Sequence, residues 1–209
     1  MFKKKFSAIL TVLCLIATVF CLCSCGSKGV YRITGMSWIT GENTVVTTTY
    51  TYTEDNKPAS VKVCYHLGYA ENYEDVYSYD ENGNMVSYTR TYDSMKTEEY
   101  SARKITNNKY ILYDKDGKEY LTVIFDNSGF IVSYRYASGY VNEYAFTCDK
   151  NGRPVSFKTL DVRPSGSQRI IDYTVDFKSD DIFRMYATGE FEKRDEYYEV
   201  KYQKITVKG

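Results

Sequence analysis

Apolar and polar positions follow two different rules along this chain. From Phe6 to Cys23 nearly every residue is apolar, and Lys3, Lys4 and Lys5 stand just before the run. Later the two kinds of residue alternate. Thr49-Tyr50-Thr51-Tyr52-Thr53, Val76-Tyr77-Ser78-Tyr79, Val132-Ser133-Tyr134-Arg135-Tyr136 and Tyr198-Glu199-Val200-Lys201-Tyr202 all run with period two. That period puts successive side chains on opposite faces of a sheet, so these segments predict strands. No stretch after the leader sustains a helical repeat. A single turn of helix is the most expected, near Tyr69–Asp75, where the alternation lapses.

Turn signals separate the alternating stretches. Asp80-Glu81-Asn82-Gly83, Asp114-Lys115-Asp116-Gly117, Asp126-Asn127-Ser128-Gly129 and Asp149-Lys150-Asn151-Gly152 share one design. Asp caps the turn with its side chain, two residues follow in right-handed conformation, and Gly supplies the positive φ that closes a hairpin. Glu54-Asp55-Asn56-Lys57 reads as a weaker copy, with Asn56 in the glycine place. The expected fold is therefore all-β: consecutive antiparallel hairpins in a twisted or curved open sheet, with a sandwich or barrel as alternative. Ser165-Gly166-Ser167 is the most linker-like point, but the alternation resumes beyond it, so residues 30–209 are expected to form one Tyr-rich domain.

The leader ends in Leu22-Cys23-Ser24-Cys25. A charged start, an apolar middle and a small residue before a cysteine make an export signal. It resembles the lipobox of bacterial lipoproteins, which implies cleavage after residue 24, a lipid on Cys25, and a short tether over residues 25–29. Two or more acyl chains would hold the protein stably on the membrane. An uncleaved transmembrane anchor is the competing reading, because Phe6 to Cys25 approaches the ~20 residues that span a bilayer. Plain secretion is the third reading, and all three put the domain outside the cytoplasm, the two anchored ones on the extracytoplasmic face of the membrane.

The strand flanks repeat as well. Tyr79-Asp80-Glu81-Asn82-Gly83 followed by Val86-Ser87-Tyr88 lines up with Phe125-Asp126-Asn127-Ser128-Gly129 followed by Val132-Ser133-Tyr134. The pattern resembles the YD (RHS-type) repeat, with Tyr79-Asp80 and Tyr113-Asp114 as direct matches. The resemblance covers roughly Val45 to Asp161 and implies short stacked hairpins.

Composition narrows the partners. The leader holds three of the 27 Lys and Arg residues and none of the 27 Asp and Glu, so the remainder carries a net charge near −3. A nucleic-acid partner, which needs a basic face, is not expected. Four of six cysteines lie in the leader, leaving Cys64 and Cys148 as a candidate disulfide. The one histidine, His66, excludes any site that needs two imidazoles. No metal, cofactor or catalytic site is expected.

Tyrosine is the outlier: all 23 lie beyond the leader. Tyr joins an apolar ring to a hydroxyl, a combination suited to glycan or protein surfaces. Tyr50 and Tyr52, Tyr77 and Tyr79, and Tyr134 and Tyr136 each share a strand face, making a candidate ligand face. Trp38, the only Trp, is expected in the core or at a hairpin. The expected function is a non-catalytic binding or scaffolding module of the cell envelope, for a protein or a glycan. A lipid- or hydrophobe-handling lipoprotein is the alternative, and a hydrolase is the least expected.

Overall fold

In the computed structural model, residues 30–205 are described apart from 69, 127–129, 150–152, 190, 191, 193 and 194. The leader, Cys25 and the tether lie outside the described residues. The strands are β1 (Val30–Thr40), β2 (Asn43–Tyr52), β3 (Pro58–Tyr65), β4 (Tyr73–Tyr79), β5 (Met85–Tyr92), β6 (Thr97–Thr106) and β7 (Lys109–Tyr113). They continue as β8 (Glu119–Phe125), β9 (Ile131–Tyr136), β10 (Val141–Cys148), β11 (Pro154–Val162), β12 (Gln168–Phe177), β13 (Ile182–Ala187) and β14 (Glu196–Ile205). Each pairs antiparallel with the next, and β14 returns to pair with β1, so the hairpins close into a barrel. The barrel alternative is the one realised. Closure leaves no edge strand in the circuit.

Residues 70–75, the described part of the segment where a turn of helix is expected, hold no helix. Tyr73 already opens β4, and Asp75 sits in register with Val61 of β3. Cross-strand pairing overrides the lapse in alternation there.

The Asp side chains close their turns as their chemistry requires, although residues 127–129 and 150–152, inside the turns after Asp126 and Asp149, lie outside the described residues. The Asp80 N–H donates to the Asn84 carbonyl at 2.9 Å, while the Asn84 N–H donates to the Asp80 carboxylate at 2.7 Å. Gly83, with φ of 72°, supplies the left-handed step. Asp114, Asp126 and Asp149 each accept from the N–H four residues on, at 2.9, 2.9 and 3.0 Å. The weaker copy is shifted by one residue. Thr53 takes the Asp role, accepting from the Lys57 N–H at 3.1 Å, and Asn56 has φ of 66°. The same four-residue closure appears at Tyr92–Lys96, Tyr136–Tyr140 and Arg163–Ser167, none of which begins with Asp. The linker-like Ser165-Gly166-Ser167 is thus the tip of the β11–β12 hairpin.

A wide, round barrel of this many strands would leave a channel. Here aromatic side chains from opposite walls meet instead. Tyr50 on β2 touches Phe130, just before β9, with ring centroids 5.8 Å apart. Tyr77 on β4 meets Phe125 on β8 at 6.1 Å. The walls pinch together there, giving two packed lobes. One holds Val61, Tyr77, Met85, Leu112 and Val123, and the other holds Ile33, Phe157, Phe183, Met185 and Val200. Tyr50 packs against both. Burying large apolar side chains at about 25 cal/mol per Å² drives this collapse.

Cys64 and Cys148 do not form the candidate disulfide; they stay unbridged. Cys64 lies one residue from the β3 end on one rim. Cys148 ends β10 on the opposite rim. The length of the barrel separates them, far beyond the Cα separation of about 6 Å that a disulfide spans.

Candidate functional site at the barrel mouth

Antiparallel order gives the barrel two distinct rims. One carries the hairpins β2–β3, β4–β5, β6–β7, β8–β9, β10–β11 and β12–β13, together with the start of β1 at Val30. Three of the four Asp-to-Gly turns lie there. The other rim carries β1–β2, β3–β4, β5–β6, β7–β8, β9–β10, β11–β12 and β13–β14. On this second rim the interior opens.

The opening is a cavity of about 540 Å³ in the second lobe, within the ~300–1,000 Å³ range of ligand sites. Register explains its lining. Trp38 on β1 pairs with Tyr198 on β14, Tyr144 on β10 with Thr159 on β11, and Asp161 on β11 with Arg169 on β12. Paired residues share a face, and all of these point inward. Tyr173, Met185 and Glu196 complete the wall. Beside it, a hollow of about 220 Å³ at the β11–β12 hairpin shares Asp161 and Arg169 and adds Arg163, Ser167 and Gln168. With its amide turned to satisfy both ends, Asn142 donates to the Asp161 carboxylate at 3.2 Å.

The aromatic walls stay neutral. Burial, reinforced by Tyr173 and Asp161, pushes the Tyr198 phenol up to about 12. Burial also raises Tyr144 and Tyr173. At neutral pH these phenols are protonated, so each offers a hydroxyl donor and an apolar face. The site therefore combines flat rings with two carboxylates and a guanidinium. Rings stack on C–H faces, and planar charged groups hydrogen-bond hydroxyls.

A second aromatic group lines the same rim in the first lobe. Tyr100 on β6 stacks on Tyr120 of β8 at 4.3 Å, and Tyr120 meets Tyr136 of β9 edge-on at 5.9 Å. Glu98 accepts from the Tyr92 and Tyr100 hydroxyls, each at 3.2 Å, and from Lys96 at 2.6 Å. The Lys96 ammonium holds the Glu98 carboxyl below its usual range. Deeper in this lobe Asp75, almost fully buried, takes Arg90 in a two-point ion pair at 2.7 and 2.9 Å. The Arg90 guanidinium lies 4.0 Å over the Tyr73 ring.

The tyrosines singled out in the sequence lie on one face, as their alternation implies, but that face is the barrel interior. Tyr77 is 5% exposed. Tyr50 fills the seam between the lobes. The Tyr52 hydroxyl donates to the Ile33 carbonyl at 2.6 Å, and that of Tyr79 to the Pro58 carbonyl at 2.8 Å. Tyr134 stacks behind Tyr136 at 6.5 Å, and Tyr136 reaches the mouth. Sequence reasoning missed Tyr144, Asp161, Arg169, Tyr173 and Tyr198. One signal was available: Asp161 and Arg169 stand two residues outside the Arg163–Ser167 turn, which puts them opposite each other on one face. Trp38, expected in the core or a hairpin, lines the cavity. His66, just past the end of β3, bonds through Nε2 to the Thr47 hydroxyl at 2.9 Å in an exposed contact.

Among the described residues, no cluster of three His, Cys, Asp or Glu side chains is placed to hold a metal ion. No protein-family model matches the chain. No curated protein matches it either.

Proposed function

We propose that this protein is a lipid-anchored, extracytoplasmic binding module of the cell envelope, and that its ligand is a glycan held in the barrel mouth. The observation that carries this reading is the lining of the cavity. Trp38, Tyr144, Tyr173 and Tyr198 surround Asp161, Arg169 and Glu196, a mixture that suits the apolar faces and hydroxyls of a sugar. A hydrophobe-handling protein would be served by an open cup of Val, Ile and Phe. Here those side chains are packed against each other in the two lobes.

Topology fits the anchored reading. The described chain begins at Val30 on the rim opposite the cavity. A lipid on Cys25 would hold that rim toward the membrane and turn the mouth outward. The proposed role is binding rather than catalysis.

Trp38 makes the test direct, because the only Trp of the chain lines the site. Titration with envelope polysaccharide should change its emission, and Asp161→Asn or Tyr198→Ala should weaken binding about tenfold or more. Unchanged emission with no retention of the protein on the polysaccharide would sink the glycan reading. Cys25→Ser tests the anchor: the protein should leave the membrane fraction and lose its lipid by mass spectrometry.

A further inference from the structure

Aromatic residues continue past the cavity, around the same rim and into the first lobe. In the cavity, Tyr173 and Tyr198 have ring centroids 5.8 Å apart, and Trp38 pairs with Tyr198 across the β1–β14 seam. In the first lobe, Tyr136, Tyr120 and Tyr100 follow one another at 5.9 and 4.3 Å. Tyr144 stands between the two groups. It lies on β10, between β9, which carries Tyr136, and β11 and β12, which carry Asp161 and Tyr173. Each group also carries the same polar chemistry. Asp161, Arg169 and Glu196 accompany the cavity rings, while Glu98 and Lys96 accompany Tyr92 and Tyr100.

From this repetition we infer that the ligand is a linear glycan polymer laid across the whole mouth, from the Trp38 cavity to the Tyr100–Tyr120 stack. The inference rests on the glycan reading and extends it to the class of ligand. Two groups of rings with matching polar partners suit a repeating ligand better than a single sugar. From β6 to β10 is four interstrand steps, about 19 Å along the wall. A short sugar seated in the cavity would not reach the stack. The stack is also held rigid: Tyr100 is fixed by Glu98 and Tyr120 by Tyr136, so little freedom is lost on binding.

The test uses the full chain in detergent micelles and Trp38 emission, titrated with cello- and chito-oligosaccharides of two, four and six sugars. Affinity should rise about tenfold from two sugars to six in at least one series, since each added ring contact contributes a few-fold. Tyr120→Leu should abolish that gain while leaving disaccharide binding unchanged, and Tyr120→Phe should preserve it. Equal affinity for two and six sugars in the unsubstituted protein would overturn the polymer inference and leave the glycan site standing. So would a length gain that survives Tyr120→Leu. Absence of binding to every oligosaccharide and to envelope polysaccharide would overturn both. The length series needs no variant, so misfolding of Tyr120→Leu cannot obscure the result.

Discussion

Single residues at turns and inside the lobes set measurable increments of stability. Gly83 and Gly117 hold φ of 72° and 75°, where an L side chain is strained. Gly117 faces open space, so Gly117→Ala should cost about 1 kcal/mol from backbone strain alone. Gly83→Ala adds a clash with the Lys57 ammonium, which donates to the Gly83 carbonyl at 2.7 Å. It should cost more, and urea midpoints of the two variants measure the difference. Met95 is the converse case, with φ of 66° and 83% exposure. Asn tolerates that conformation better, so Met95→Asn should gain roughly 0.5 kcal/mol. Inside the first lobe, Asp75→Asn leaves Arg90 without its carboxylate and should cost about 3 kcal/mol. Replacing the pair together, as Asp75→Leu with Arg90→Met, should cost less than Asp75→Leu alone. If the double variant is no better than the single, the ion pair is not what makes Asp75 necessary.

At the scale of elements, the register of neighbouring strands decides which residues meet. The β1–β14 seam closes the circuit, with partners running from Val30 and Ile205 to Thr40 and Glu196. Val200, fully buried, sits in that seam opposite Met36. Lys201, opposite Gly35 in the same seam, turns its N–H toward β1, so Lys201→Pro removes a ladder donor there and should unzip the seam, exposing two edge strands. Light scattering should then detect oligomers, and a variant that stays at its original mass would show that closure does not guard against edge pairing. The cysteines test element placement independently. With Cys64 and Cys148 on opposite rims, both should be alkylated without prior reduction, as read by intact mass.

For the whole molecule, the tyrosine content creates a dependence on alkaline pH. In the folded barrel, burial raises Tyr198 to about 12 and moves Tyr50, Tyr77, Tyr88 and Tyr134 upward too. An unfolded tyrosine loses its proton near pH 10. Between these values the folded state binds more protons than the unfolded one, so stability falls as pH rises. This contribution is intact below about pH 10 and is lost progressively toward 12. Phenolate absorbance should therefore appear together with cooperative unfolding. A gradual titration with the fold intact would contradict the buried placement of these rings.

The sequence by itself determined the strands, the antiparallel hairpin order and the Asp turns, because each depends on interactions within a few residues. Period two is a local property, and an Asp side chain reaches N–H groups only two to four residues on. It also determined that the paired tyrosines share a face. Which face that is, core or surface, was not legible. It depended on β14 reaching β1, a contact between the two ends of the described chain that no local signal encodes. Closure turned the tyrosine face inward, removed the free edges expected of an open sheet, and set Cys64 and Cys148 a barrel length apart. It also brought Trp38, Tyr144, Asp161 and Tyr198 to one mouth from four strands spread across the sequence. The strands were local chemistry; the site was assembled by the pairing of the first strand with the last.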